Sequence, residues 1–317
     1  MIGMDNFAIV ILNYNTFDDT VVCIDSIKKY TTSSCYKIFL VDNASPDKSG
    51  PLLASKYETD ENVSVIISKS NLGFSGGNNL GIRKALEEGF EYVYLLNSDI
   101  ILQNDAFALM QEAFCAHSNV VVVGPSIVNR EKKYAQFARK GISLATYLAS
   151  RRGFIKLFPE VKNRLRFYNF LQNEDFIFEG MVYGCCFGMT ADFIKRSKCL
   201  DENIFMFYEE DVLAYVMKRL GKKAMIANKA QIIHNEGIST EKSSGDRLFF
   251  TRFYRWTSVL YVLHNYAKVN LFLCCLLSLL NIIEWVFLSL FSNKYKNKLL
   301  AFIAENKRVL TVKPLIK

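Results

Sequence analysis

The chain has 317 residues, is half hydrophobic with a mean hydropathy of +0.10, and carries a formal charge of +8. That length admits one large α/β domain with an appendage, or two domains, and the charge suits an anionic partner: a nucleotide, a lipid diphosphate or a membrane surface. Of the eight Cys, Cys185-Cys186 and Cys274-Cys275 are adjacent pairs and none has CxxC spacing, which disfavours a zinc site or a disulfide framework and fits a reducing cytoplasm.

The opening MIGMDNFAIVILNYN lacks a basic stretch and reads as a first strand, Phe7 to Leu12, not as a signal peptide. Asn13, Tyr14 and Asn15 follow it. Thr16 with Asp19 resembles a capping box and predicts a helix to about Tyr30. Tyr36 to Val41 is the next strand, ending in the polar turn cluster Asp42 to Asp47. Val63 to Ile67 is a third, followed by the glycine-rich stretch Asn71 to Asn79 and a helix to about Glu88. Tyr92 to Leu96 is a buried strand that stops at Asn97-Ser98-Asp99. A helix near Asp105 to His117 and a strand from Val120 to Val123 complete an alternating pattern, which predicts a mostly parallel sheet with right-handed crossovers.

The alternation breaks at Arg130. From there to about Asn173, within an insertion of about 130–175, the chain carries eleven Lys and Arg, among them Arg130, Arg139, Lys140, Arg151 and Arg166, opposed only by Glu131 and Glu160, with Phe and Tyr interleaved. This reads as an insertion on the ligand side of the sheet or as a solvated basic face. An RNA-binding patch would share the composition, but no RNA-binding motif accompanies it, and nucleic acid is not expected as a partner. Gly180 to Met189 is an apolar strand whose glycines suggest close approach of backbone or ligand. Glu209, Glu210 and Asp211 open a helix that stops at Gly221; the helix dipole alone could account for acids there. A strand near Ala224 to Ile226 leads to His234.

Leu271 to Phe291 is nearly continuous apolar sequence, close to the roughly 20 residues of a spanning helix. Ser278, Asn281 and Glu284 mark one polar stripe in it, and a Glu within lipid is expensive. The segment is therefore expected to lie in the interface, or to hairpin into one leaflet, in preference to spanning. Basic residues from Lys294 to Lys313 follow and suit an anionic cytoplasmic surface.

Ligands bind at the carboxyl ends of strands in open α/β sheets, so Asn13 to Asn15, Asp42 and Asp99 should converge on one crevice. Asp42 could accept the N3–H of a uracil or thymine ring. Asp99 could hold a divalent cation against a diphosphate, although an Asp after a strand is often only a turn or cap residue. The glycines at 73, 76, 77 and 81 make neither GxGxxG nor a P-loop.

In this order and at these intervals, ILNYN, VDNASPD, NLGFSGGNNLGIRKALEEGFEYVYLLNSD, GCCFGMTADFI, LDENIFMFYEEDVLAYVMKRLGKKA and His234 resemble a family 2 glycosyltransferase with the GT-A fold, over about residues 6 to 265. The nearest branch in kind is the rhamnosyltransferase-like enzymes of bacterial polysaccharide and O-antigen assembly. The resemblance implies an α/β GT-A domain over 1–265 and a membrane-associating tail over 266–317. It implies an inverting transfer from a nucleotide-sugar, dTDP-rhamnose first and a UDP-sugar second, with Mg²⁺ or Mn²⁺. Donor contacts would come from Asn13, Tyr14, Asn15, Asp42, Asn71, Gly73, Asn78, Asn97, Ser98 and Asp99. Asp99 and His234 would be metal ligands, with Asn97 standing where many relatives have Asp. Asp211 would be the general base, with Glu210 beside it as the alternative. The acceptor would be a saccharide, expected on polyprenyl diphosphate, and the enzyme would sit at the cytoplasmic face of the bacterial plasma membrane, peripheral or monotopic. A sugar nucleotidyltransferase would need a glycine-rich basic loop in place of NYNTFDD. A catalytically silent carbohydrate-binding protein would not need Asp99, Asp211 and His234 together.

Overall fold

The computed structural model describes residues 6–128, 138–149, 160, 167–168, 174–235 and 247–315. Most of the basic stretch, including Arg130, Arg151 and Arg166, lies outside the described residues; Arg139 and Lys140 lie within them.

The first half alternates strand and helix: β1 Phe7–Asn13, α1 Phe17–Tyr30, β2 Tyr36–Asp42, α2 Ser49–Lys56, β3 Val63–Ile67, α3 Gly73–Glu87, β4 Tyr92–Asn97. Then come β5 Ile100–Leu102, α4 Ala106–Ala116, β6 Val120–Val128 and the short α5 Leu144–Ala149. β7 Phe176–Phe178, β8 Cys186–Thr190, α6 Ala191–Ser197, α7 Glu209–Arg219 and β9 Lys223–His234 follow, and four helices end the chain: α8 Arg247–Asn265, α9 Leu271–Ser289, α10 Asn293–Asn297 and α11 Leu299–Thr311. Among the described residues these strands form one sheet, ordered β3-β2-β1-β4-β8-β6-β9-β5, with β7 also on β9. From β3 to β4 every pairing is parallel. Beyond β4 the sheet is mixed, because β8 runs antiparallel to both β4 and β6. The expected parallel architecture thus covers the first half, where crossover helices connect the strands.

Both faces of the sheet are buried, one under Ala8, Val10, Phe39 and Val41 and the other under Phe7, Ile9, Ile38 and Leu40. Strands covered on both sides need no polar face, which is why β1 and β2 read as continuous apolar runs. Two local expectations change. The glycine-rich stretch is not a loop before α3 but its first two turns, and its glycines let the helix approach β1 closely: a Cβ at Gly81 would stand 2.5 Å from Val10. The capping box at Thr16 does not form, because Thr16 Oγ1 bonds Asn13 and Ser98 instead of its own helix.

The C-terminal helices are not an independent tail. Cys274, Leu277 and Val309 belong to the same core cluster as the sheet residues. Asp201 accepts hydrogen bonds from Tyr261 (2.6 Å) and Tyr266 (2.5 Å), and Arg308 of α11 donates to the Asn203 carbonyl at 2.8 Å. The sequence boundary at 265 therefore marks a change of composition within one packed body.

Candidate active site

Register explains which strand-end groups face the crevice. Asn13 and Asp42 are lateral partners on parallel strands, so their side chains leave the same face of the sheet. There they bond each other: Asn13 Nδ2 donates to Asp42 Oδ1 (2.6 Å) and to Ser49 (2.9 Å), and Asp42 accepts the Ser45 amide (3.1 Å) and hydroxyl (2.5 Å). Asn13 Oδ1 accepts from Thr16 and Thr20. Both residues are buried, and neither lines the cavity. In this structure they lock the β1 and β2 ends together, outside the lining of the cavity. The next residue, Asn43, points the other way, by the two-residue period of a strand. It lines the cavity with Tyr14, Asn71 and Gly73. Its Nδ2 donates to Asn71 Oδ1 and the Gly73 carbonyl, and its Oδ1 accepts from Leu72. Two further residues expected at the donor do not line it. Asn78 is buried and donates to the Phe74 carbonyl one turn back in its own helix. Asn15 sits in the left-handed region (φ 58°) and its amide holds Ser45.

Asn97, Ser98 and Asp99 do line the cavity, which measures ≈ 500 Å³. β4 ends at Asn97, the chain turns through Ser98 and Asp99, and β5 then pairs antiparallel with β9, Ile100 opposite His234. That pairing brings Asp99 Oδ1 to 3.3 Å from His234 Nε2, and the Asn235 amide donates to the Asp99 carbonyl at 3.1 Å. Asp99 is 4% exposed and its Oδ1 accepts no hydrogen bond. Ser98 is held by the Thr16 hydroxyl at 2.8 Å. Among the described residues no three His, Cys, Asp or Glu converge as a complete cage. A hard oxygen and an imidazole close enough for one ion to touch both, with the remaining positions left to substrate oxygens and water, fit Mg²⁺ or Mn²⁺ bound together with a diphosphate.

The opposite wall is the start of α7 with its approach. Phe207 and Tyr208 both adopt the left-handed region (φ 70° and 73°), strained for bulky residues. Glu209 accepts the Phe207 amide at 2.9 Å, and Ser258 of α8 donates to the Met206 carbonyl at 2.8 Å; together they hold the strap over 205–208. The three acids of α7 divide their tasks. Glu209 is buried, and burial together with Glu210 pushes its carboxyl well above the ordinary range, which favours the neutral acid. Asp211 is 1% exposed and accepts the Ile142 amide at 2.6 Å, while Tyr215 one turn on donates to the Ile142 carbonyl at 2.6 Å. Asp211 therefore fixes the backbone that follows Arg139. Glu210 is partly exposed to the cavity and lies over Gly184: a Cβ there would come within 1.6 Å of its Oε1, so a larger residue would displace the Glu210 carboxylate. Burial raises the Glu210 carboxyl, and Arg139 and Arg255 oppose that rise.

The cavity also takes residues to which the sequence reading assigned no role: Asn43, Tyr183, Phe205, Phe250 and Arg255, with Arg139 singled out only as part of a basic run. Arg255 lies over the Phe207 ring, 5.6 Å from its centroid. Neither arginine forms an ion pair with a carboxylate among the described residues. The strand expected over Gly180 to Met189 is observed only as β8, Cys186–Thr190; Gly184, in the turn before it, was the legible clue to close approach here.

Residues 8–197 match the family described as Glycosyl transferase family 2. Over 238 residues the chain is 24% identical to the low-salt glycan biosynthesis hexosyltransferase Agl10 of Haloferax volcanii, covering 74% of this chain and 69% of that one. It is 27% identical over 130 residues to the dTDP-rhamnosyl transferase RfbF of Shigella flexneri, 41% of either chain. Among solved structures it resembles the mannosyltransferase PcManGT from Pyrobaculum calidifontis in complex with GDP-Man and Mn²⁺ (TM-score 0.54, 13% identity, 80% of this chain and 62% of that one). It also resembles GalNAc-T7 with UDP, GalNAc and Mn²⁺ (TM-score 0.57, 13% identity, 82% of this chain and 51% of that one). These structural likenesses show the GT-A fold, and the chain spans half to two thirds of the length of those two proteins.

Proposed function

Because the chain belongs to glycosyl transferase family 2, we propose that it transfers a sugar from a nucleotide-diphosphate donor to a hydroxyl of a saccharide acceptor, with inversion at the anomeric carbon. One observation carries this reading: Asp99 with His234, and Glu210 in the field of Arg139 and Arg255, stand on the walls of a single cavity. Tyr14, Asn43 and Asn71 take the nucleoside side. Asp99 and His234 would hold Mg²⁺ or Mn²⁺. When bound, that cation neutralises charge developing on the departing diphosphate. Both Glu210 and Asp211 line the cavity; Glu210 is taken as the acceptor of the proton because it is the more exposed of the two, whereas Asp211 is 1% exposed and holds the Ile142 amide through Oδ1. The acceptor oxygen bonds to the anomeric carbon as the bond to the diphosphate oxygen breaks on the opposite face. No covalent enzyme intermediate is required.

The likeness to RfbF supports dTDP-rhamnose as the first donor to test, with UDP-sugars second. Arg139 and Arg255, without carboxylate ion pairs among the described residues, suit an acceptor carried on polyprenyl diphosphate in cell-surface polysaccharide synthesis. A donor screen by released nucleoside diphosphate, with Mn²⁺ or Mg²⁺ and then EDTA, tests the reading. It expects acceptor-dependent release that EDTA abolishes. Donor binding without release under any acceptor would mark a binding protein instead.

A further inference from the structure

α9 has the reverse polarity of a water-facing helix. Its polar side turns inward: Ser278 donates to Asn306 of α11 at 3.1 Å, Tyr147 donates to Asn281 at 3.2 Å, and buried Trp285 donates to the Tyr295 carbonyl at 3.0 Å. Its outward side is apolar, with Phe272 80% and Phe287 58% exposed, and it continues past the helix end at Phe291, 74% exposed, onto α11 at Leu300, 82% exposed. Soluble surfaces rarely leave so long a contiguous apolar face open. The charge beside it has one dominant sign. From 268 to 315 seven Lys and Arg face two acids, Glu284 and Glu305, and Glu305 is paired with Arg308. Lys294, Lys296 and Lys298, where α9 hands over to α11, are all exposed.

We propose that the outer face of α9 and α11 lies flat in one leaflet of an anionic bilayer, with the 294–298 lysines among the headgroups. A spanning α9 would have to leave the seat that satisfies Ser278, Asn281 and Trp285, and would carry Glu284 into hydrocarbon. A second copy on the same face would set lysines against lysines. An apolar face flanked by bases matches an anionic interface instead.

α8 connects this surface to the cavity. Phe249, Phe253 and Trp256 pack on Trp285 or Phe302, while Phe250, Thr251 and Arg255 line the cavity. α8 thus lies between the buried side of the α9–α11 layer and the cavity. Seating this layer on a bilayer would bring the cavity close to a lipid-borne acceptor. This last step rests on the glycosyltransferase reading, which also selects the cytoplasmic leaflet as the one that meets nucleotide-sugars.

The test is co-sedimentation of the full chain, without donor, with vesicles of phosphatidylcholine alone or with one third phosphatidylglycerol. Binding to the anionic vesicles is expected, extractable by alkaline carbonate. Lys294→Glu/Lys296→Glu/Lys298→Glu should weaken it roughly a hundredfold, since each lysine near an anionic surface is worth about a factor of five. Leu290→Ser/Phe291→Ser/Leu300→Ser should weaken it without altering the circular dichroism spectrum. Equal binding to both vesicle types, indifference to the variants, carbonate-resistant pelleting, or a dimer that the serine variant dissolves would each overturn the proposal. Nucleoside diphosphate release with a soluble acceptor is read separately, so vesicle binding without release would defeat only the catalytic reading.

Discussion

The two walls of the cavity hold their charged groups in opposite ways. On the strand-end wall, parallel ladders set the positions, and Asp42 is consumed by Asn13 and Ser45. There Asp99, placed where β5 turns onto β9, keeps a carboxylate oxygen without a hydrogen bond. On the helical wall, positions depend on a few side-chain-to-backbone bonds around the strained Phe207 and Tyr208. Its arginines are left facing the cavity. A rigid, internally satisfied wall suits holding a donor, and a wall of available charges suits proton transfer and acceptor binding.

The sharpest way to break this contrast is within α7. Glu210→Gln should lower kcat by about 10²- to 10⁴-fold, the usual worth of a positioned base, while nucleotide binding by calorimetry stays near wild type. Asp211→Asn should keep most of the chemistry and show its loss as a lower Tm, because it weakens a buried charge-assisted bond to Ile142. Reversed outcomes would return the base to Asp211. Across the cavity, Asp99→Asn should cost about a hundredfold in kcat/KM. Raised Mn²⁺ should recover part of that loss, and His234→Ala should cost less. A variant whose metal titration is unchanged would remove Asp99 from the cation site.

Much of the strand-end wall could be read from the chain. Continuous apolar runs that stop at polar triplets located β1, β2 and β4, and Asp99 was found there. That Asn43 and not Asp42 lines the cavity was not legible, because it depends on which face each side chain leaves. Register with Asn13 decides that, and it is a relation between strands 29 residues apart. Asp42→Ala should therefore lower stability by about 1–3 kcal/mol, leaving Asn13 and Ser45 donors unpaired, with little change in donor KM. Asn43→Ala should do the reverse. Equal effects of the two on donor KM would undo the distinction. The helical wall was legible only as an acidic triplet and a glycine-studded strand. Arg255 gave no signal, since nothing in an amphipathic helix reveals which of its sides meets a cavity.

Arg255 supplies the finest test, because its effect is a displacement and not a loss. A base must be ionised, so kcat should fall as pH drops through the carboxyl value of Glu210. Burial holds that value above an ordinary glutamate, and Arg139 and Arg255 pull it back down. In Arg255→Ala one pull is gone, the value rises, and the acid limb of the kcat profile should move to higher pH. The shift should be less than about one unit, since Arg255 is exposed and its field is screened. On the alkaline plateau the variant, saturated with acceptor, should approach wild-type turnover; on the acid limb it should lag. Arg255→Lys keeps the charge and should leave the limb in place, even if it weakens acceptor binding. A merely structural role for Arg255 would lower the profile at every pH without moving it, and a limb that stays fixed in the alanine variant would show that this arginine does not tune the base.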